Sequence, residues 1–247
     1  MEAHLELFVL TWGLYPRRIL LYLSEKGLTS SPLIKITPVS VTSAGIDAAG
    51  KPPGSVPILR LPDGSLIKQS AAILEYFEDI CDNPDPQQNW QVELAASATN
   101  KTSMRGDTPK ERAQTREIMG LADEASTQFV FACHKGTALF VQLESTNALA
   151  AKLALEYCKK SLRLIEENYL GDSQFGDGSR FTIAHHMLYS LLQFSRELYD
   201  VDLLTDPGLP DLQRLFDIFK KRDPAKNHED HFPEDIRKLA IQWLPIE

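Results

Sequence analysis

The segment "ELFVLTWGLYPRRILLYLSEKGL", residues 6 to 28, and the "PLIKITPV" that follows constrain this chain most. The run from Leu5 to Leu10 is rich in Leu, Phe and Val, as a buried strand would be. A Gly-Leu-Tyr-Pro turn follows. Between Arg17 and Lys26 the apolar residues Ile19, Leu20 and Leu23 recur at helical spacing, and Gly27 offers a left-handed cap with Leu28 behind it. "PLIKITPV" reads as a second strand ending at Pro38. Strand, helix and strand with short links make a βαβ unit, so the two strands are expected to run parallel.

Residues 39 to 54 are rich in Ser, Thr, Ala, Gly and Pro, and at most one irregular helix is expected there. "SVPILRLPDGSLIKQ" then carries two short apolar runs around Pro62-Asp63-Gly64, a hairpin signal. In "SAAILEYFEDI", Ser70 suits an N-cap, and Ile73, Leu74, Phe77 and Ile80 share one helical face. The first 80 residues therefore read β-α-β-(α)-β-β-α. From residue 108 onward only helical patterns occur. Thr108 is the expected N-cap of the first long helix, with Pro109 at its first position and Glu111 at its third. "NALAAKLALEYCKKSLRLIEENYL" is a second helix, and "RFTIAHHMLYSLLQFSREL", capped by Thr182, is a third; "PDLQRLFDIFKKR" and "PEDIRKLAIQWL" add two more. The expected organisation is an α/β domain over residues 1–82, an Asn-, Asp- and Pro-rich linker or insert over 83–107, and an all-helical domain over 108–247.

The formal net charge of −8 argues against a nucleic-acid partner, which calls for a basic face. No run approaches 18 apolar residues, so no membrane span is expected. The opening "MEAHLELFVL" reads as a first strand, not as a signal peptide. Cys81, Cys133 and Cys158 are odd in number and widely spaced. They suggest free thiols in a reducing cytoplasm, with neither disulfides nor a metal pattern. "HEDH", residues 228 to 231, has the spacing of a metal pair but no further ligands, and reads as a charged loop.

Taken in order, the motifs resemble those of the cytosolic glutathione transferases. "RRILLYLSEKGL" is similar to that family's first helix, "KPPGSVPILRL" to its Asn-Pro-x-Gly-x-Val-Pro-x-Leu segment, and "KQSAAILEYFED" to its Glu-Ser-x-Ala-Ile-x-x-Tyr-Leu segment. "TPKERAQTREIM" resembles the start of the helical domain, and "FTIAHHML" its Ser/Thr-x-Ala-Asp cap motif. Within the family the sequence looks most like fungal members, including those of natural-product pathways. The fold class implied is α/β plus all-α: an N-terminal thioredoxin-like domain followed by a helical bundle.

The resemblance also implies a glutathione site. The bond before Pro57 is expected to be cis, exposing the backbone of Val56 to the cysteinyl part of glutathione. Gln69 and Ser70, at the positive end of a helix, would take the γ-glutamyl moiety. Lys51 stands where the family often has Asn, and would pair with the glycyl carboxylate or remain a solvated loop lysine. His185 falls where the family has Asp and is a structural departure, not a catalytic histidine. Trp12, Leu14, Phe129 and His134 are candidates for lining a pocket for a hydrophobic second substrate, although the phenylalanines of that long helix equally suit a core. A two-fold homodimer is implied as well.

The family activates the glutathione thiol with a hydroxyl or thiol group just after the first strand. Counting back from Glu25-Lys26-Gly27 places that position on Gly13, which has no side chain. Tyr15, a phenol at the helix start, is the preferred replacement. Thr11 and the backbone N–H groups near Leu14 and Tyr15 are the alternatives, with Arg17 and Arg18 adding positive potential. The expected activity is thiolate addition to a hydrophobic electrophile. It would serve either conjugation or a glutathione-assisted cis–trans isomerisation in fungal secondary metabolism. The competing reading is a non-catalytic regulator or scaffold, which the empty Gly13 position favours.

Overall fold

The computed structural model describes residues 5–42, 45–171, 175–176, 178–226 and 232–246. The "HEDH" stretch lies outside the described residues. The chain divides into two compact units, one up to Asp107 together with the short stretch from Asp223, the other from Thr108 to Arg222 together with the C-terminal segment.

In the first unit β1 (Leu5–Val9), β2 (Ile34–Pro38), β5 (Ile58–Arg60) and β6 (Leu66–Ile67) form a mixed sheet in the order β2-β1-β5-β6. β1 pairs with β2 in parallel, Leu5 opposite Ile34 and Val9 opposite Pro38, and with β5 antiparallel, Phe8 opposite Ile58. The crossover between the parallel strands is α1 (Leu14–Lys26). Its C-cap Gly27 sits at φ 72°, and Leu28 N–H reaches back to Leu23 O at 2.7 Å, a Schellman closure. Asp63-Gly64 turns β5 into β6, with Gly64 at φ 84° and Ser65 N–H donating to Asp63 Oδ1 at 2.9 Å. α2 (Ser70–Asp82) buries Ile73, Leu74, Phe77 and Ile80, the face that its spacing predicts. Tyr22 of α1 stacks on Phe77 of α2, ring centres 6.3 Å apart.

Two segments take forms that the sequence leaves open. Residues 39–54 contain no helix among the described residues; β3 (Ser40–Thr42) and β4 (Gly45–Asp47) pair antiparallel instead, Val41 opposite Ile46. The β-branched Val41, Thr42 and Ile46 favour extended backbone. Ile46 also packs on the cluster of Phe8, Leu10, Val39, Val56 and Ile58. Of the linker or insert expected over 83–107, the structure has the insert, within the first unit. It carries α3 (Asn89–Ser97) and buries Leu94, Ala98 and Met104. Thr99 N–H donates to Lys26 O at 2.9 Å, and Arg105 binds Glu75, Asp79 and Asp82 of α2. Its polar composition reads as a loop because main-chain groups, which leave no mark in a side-chain pattern, supply much of the attachment.

The second unit is helical: α4 (Pro109–Gly136), α5 (Ala148–Ile165), α6 (Ile183–Tyr199), α7 (Pro210–Lys220) and α9 (Glu234–Ala240). The four-residue α8 (Asp223–Lys226) belongs to the first unit, where it packs on α1. Thr108 and Glu111 form the capping box of α4. α4 and α5 approach so closely that a Cβ on Gly136 would lie 2.6 Å from the Ala151 Cβ. A π-helical turn, Glu166–Leu170, continues α5. Its Glu166 carboxylate accepts from the N–H groups of Asp211 and Leu212 at 2.7 and 2.8 Å, and so caps α7.

Candidate functional site

Among the described residues no group of His, Cys, Asp and Glu could hold a metal ion, and no helix is long and apolar enough to cross a membrane. The candidate site is built from the first unit's loops and helix starts.

β1 ends at Val9, and the chain turns through Leu10–Gly13, closed by Gly13 N–H on Leu10 O at 2.8 Å. Gly13 is the N-cap of α1 with φ −75° and ψ 140°, dihedrals open to any residue. Nothing in the backbone demands glycine there. Tyr15, half-buried, is the second residue of α1. Arg18 follows one turn later on the same face, with its guanidinium carbon 4.8 Å from the centre of the Tyr15 ring.

The Val56–Pro57 bond is cis. Val56 is buried in the cluster with Phe8, Leu10, Val39 and Ile58, and Trp12 leans on that cluster. This packing brings the strand-to-helix mouth and the Val56–Pro57 segment together. The loop before it is held from several directions. Lys51 Nζ donates to Pro52 O at 3.1 Å and Gly54 O at 2.7 Å, Lys68 Nζ to Pro53 O at 3.0 Å, and Arg60 to Gly50 O at 2.5 Å. Two of the three donors of the Lys51 ammonium are thus spent on its own loop.

Ser70 is not the N-cap of α2; Gln69 is, at φ −97° and ψ 130°, and its carbonyl accepts from Ile73 N–H at 2.9 Å. Ser70 is the first helical residue, buried, and its hydroxyl accepts from Arg18 Nη1 at 3.1 Å. Gln69 itself is exposed. One buried guanidinium therefore links Tyr15 to Ser70. The only local sign of this in the sequence is the spacing of Tyr15 and Arg18, three residues apart on one helix face.

Of the proposed pocket residues, Trp12 and Leu14 belong to the first unit and Phe129 and His134 to the second. Leu14 is 3% exposed and Phe129 fully buried. Phe129 stands edge-on to Phe194 and Tyr199, so it is core of the helical unit and not a wall. Its spacing on α4 suits either role, and apolar burial decides it. Trp12 is partly exposed and retains access to solvent. His134 lies near the C-terminal end of α4, stacked 3.8 Å over Phe140 and paired with Glu144 at 2.5 Å. Lys135, and after it His134, holds the Glu144 carboxyl below its usual range. A groove of the helical unit is lined by Gly136, Ala151, Leu155, Val201, Trp243 and Ile246, and includes neither Phe129 nor His134.

His185 does structural work. Its Nδ1 accepts from Thr182 N–H at 3.0 Å, half of a capping box, and its Nε2–H donates to Phe175 O at 2.9 Å. These two bonds fix the neutral tautomer with the proton on Nε2. His186 donates from Nδ1 to Thr182 O at 2.9 Å.

Residues 12–80 match the family model described as the N-terminal domain of glutathione S-transferase. No curated protein matches. Solved structures do. One is a glutathione transferase family member from Pseudomonas fluorescens Pf-5 with bound glutathione, at TM-score 0.70 and 17% identity over 92% of this chain and 100% of that one. A glutathione S-transferase from Methylobacterium radiotolerans in complex with glutathione sulfonate follows at TM-score 0.65, with 21% identity over 91% of this chain and 93% of that one. Glutathione transferase Omega 3C from Trametes versicolor gives TM-score 0.63 and 16% identity over 96% and 90%. At these identities the likeness is one of fold. The chain has the fold of the glutathione transferases, a thioredoxin-like domain followed by a helical region.

Proposed function

We propose that this protein is a glutathione-dependent enzyme that adds the glutathione thiolate to a hydrophobic, electrophilic small molecule in the cytoplasm. The observation that carries the reading is one arrangement within the matched domain. A cis Val56–Pro57 bond stands beside the mouth of α1, and Ser70 stands at the first turn of α2 with a buried cation behind it. Backbone groups of Val56 would hold the cysteinyl part in the manner of an added strand. Ser70 and Gln69, at the positive end of α2, would hold the γ-glutamyl part. Lys51 would meet the glycyl carboxylate. The structures from Pseudomonas fluorescens and Methylobacterium radiotolerans, which carry glutathione or its sulfonate, support the choice of ligand.

Tyr15 is the proposed donor to the thiolate, with Trp12 beside the reacting sulfur. Glutathione binding by calorimetry is the first test, and no heat at millimolar ligand would remove the enzyme reading. With binding in hand, Tyr15→Phe should lower kcat/KM for a standard electrophile about tenfold or more, the range of a lost hydrogen bond to a charged group.

Gly13 favours a second form of the same chemistry. A weak thiol activator suits reversible addition, in which glutathione adds to a conjugated alkene, the bond rotates and glutathione leaves. A cis polyene converted many times per glutathione would establish isomerisation; one glutathione consumed per product would establish conjugation. A place in fungal secondary metabolism rests on the sequence resemblance. A two-fold homodimer belongs to the same proposal. α5 exposes Leu149, Leu153 and Tyr157 along one face, 55%, 54% and 57% open to solvent. Leu153→Glu should then halve the mass in solution. The free thiols Cys81, Cys133 and Cys158 suit a reducing compartment.

A further inference from the structure

Arg18 is fully buried, yet it serves two of the groups to which the glutathione reading assigns roles. Its guanidinium lies 4.8 Å from the centre of the Tyr15 ring and donates from Nη1 to Ser70 Oγ at 3.1 Å. A guanidinium has donors and no acceptor. In that bond the Ser70 oxygen can only accept, which leaves its own proton to be given elsewhere. The Ser70 N–H, at the first position of α2, is also one of the donors that a helix start cannot use internally. Donors at a helix start backed by a buried cation suit a carboxylate and disfavour an ammonium.

We propose that Arg18 is the positioning residue of the γ-glutamyl carboxylate subsite. It holds the Ser70 hydroxyl as a donor toward that carboxylate and, through its other face, holds the Tyr15 ring at the start of α1. The inference rests on the glutathione reading and adds a coupling to it. The grip on one end of the tripeptide and the placement of the phenol near the sulfur depend on a single side chain. Lysine cannot replace it, because one ammonium lacks the planar fork that serves hydroxyl and ring together.

The test is calorimetric titration of the full chain with glutathione and with its γ-glutamyl α-carboxamide, which lacks the negative charge. The wild type should prefer glutathione at least tenfold. Arg18→Gln should bring that preference within threefold of unity while binding the amide as the wild type does. Equal weakening of both ligands, or of neither, overturns the proposal. If Arg18→Gln fails to melt cooperatively, Arg18→Lys is read in its place, with at least a threefold loss of preference expected. An unchanged preference in that folded variant overturns it too. The Tyr15 half is read separately. Arg18→Gln should move the midpoint of the pH profile of kcat/KM, whereas Ser70→Ala, which leaves Arg18 over Tyr15, should raise KM without moving it. A profile that shifts equally in both overturns that half. A wild type that binds neither ligand sinks both this inference and the glutathione reading. A wild type that binds both equally sinks only the inference.

Discussion

Lys26 and Glu78 form a buried ion pair, Nζ to Oε1 at 3.1 Å, with side chains 1% and 0% exposed. Lys26 is the last residue of α1 and Glu78 sits on the apolar face of α2, so the pair joins the two helices. It also fastens the 83–107 segment, since Lys26 Nζ donates to Thr102 O at 2.9 Å and Met104 N–H donates to Glu78. The Tyr22 hydroxyl completes the cluster, 2.5 Å from Glu78 Oε2.

Removing one partner leaves the other charge buried and uncompensated, which costs about 3–5 kcal/mol. Lys26→Met and Glu78→Gln should each lose about that much in urea unfolding. The double variant should lose less than the sum, because the second change removes the stranded group. Both single variants should also be cut within residues 98–107 by a protease at concentrations that leave the wild type intact. Additive losses with no new cleavage would mean that the pair neither couples nor holds the segment.

Gly27 is required twice. Its φ of 72° costs a side-chain-bearing residue about 1–2 kcal/mol. In addition, a Cβ there would lie 2.0 Å from Thr99 Oγ1. Gly27→Ala should therefore cost more than the backbone alone explains. Thr99→Gly, which clears the space, should recover part of the loss in the double variant and none of the backbone share. Full additivity in thermal melts would remove the steric half of the account.

These contacts mark where the sequence was legible and where it was not. The parallel pair β1–β2, the Asp63-Gly64 hairpin and the Thr108 cap are local and periodic, so spacing alone reads them. The 83–107 segment is anchored in part through main-chain groups, which a polar sequence does not report, and in part through the Arg105 side chain, whose partners lie on α2. Residues 39–54 are too short and polar to show a period, so the strand pairing of Val41 and Ile46 went unread. The cap of α2 lies one residue before Ser70 because Gln69, a poorer cap by residue type, takes the extended backbone. At the site, Val56–Pro57 was legible through the resemblance. The Arg18–Ser70 bond spans 52 residues of sequence, and no local pattern records it. Glu78 carries a signal of its own: a carboxylate inside an apolar stripe needs a partner.

Stability should fall in alkaline solution for a nameable reason. Burial pushes the Cys158 thiol up to about 12 and moves Cys133, Tyr22 and Tyr199 well above their ordinary values. A group whose pKa is raised on folding contributes stability that is complete below the unfolded value and lost as pH climbs toward the folded one. For Cys158 the window runs from about 9 to about 12. Above its own unfolded pKa each such group removes about 1.4 kcal/mol per pH unit, the thiols from about 9 and the tyrosines from about 10. Urea midpoints measured at pH 8, 9, 10 and 11 should be level at first and then drop, and Cys158→Ala should flatten part of the drop. In the native protein at pH 8 neither Cys133 nor Cys158 should react with a thiol reagent, and Cys81, also raised by burial, should react slowly.

His185→Asp should destabilise, although the resemblance places an aspartate there. The carboxylate could accept from Thr182 N–H, but it would leave the Phe175 carbonyl without the donor now 2.9 Å away. It would also set a charge among the Phe175 and Phe181 rings, whose centres lie 3.8 and 5.1 Å from that of His185. A loss of about 1–3 kcal/mol is expected from the stranded acceptor. A melting temperature above the wild type's would show that the imidazole is a tolerated departure and not a built-in part.

Gly13→Ser tests the empty position at the mouth of α1. The dihedrals accept serine, and a serine N-cap is favoured over glycine by a few tenths of a kcal/mol. Against this, the new Cβ would lie 3.2 Å from Leu10 O and 3.3 Å from Pro16 Cδ, so the turn must give slightly. Stability should stay within about 1 kcal/mol of the wild type. The gain should appear in chemistry. A hydroxyl donating to the thiolate is worth about 1.5–3 kcal/mol, roughly tenfold or more in thiolate fraction below the thiol's pKa. Conjugation of a standard electrophile should accelerate by at least that factor, with the affinity for glutathione unchanged. Tyr15→Phe should then cost less in the serine background than in the wild type, since the new donor takes over its task. An unaltered rate in a folded, glutathione-binding Gly13→Ser would mean that the sulfur does not sit at this mouth.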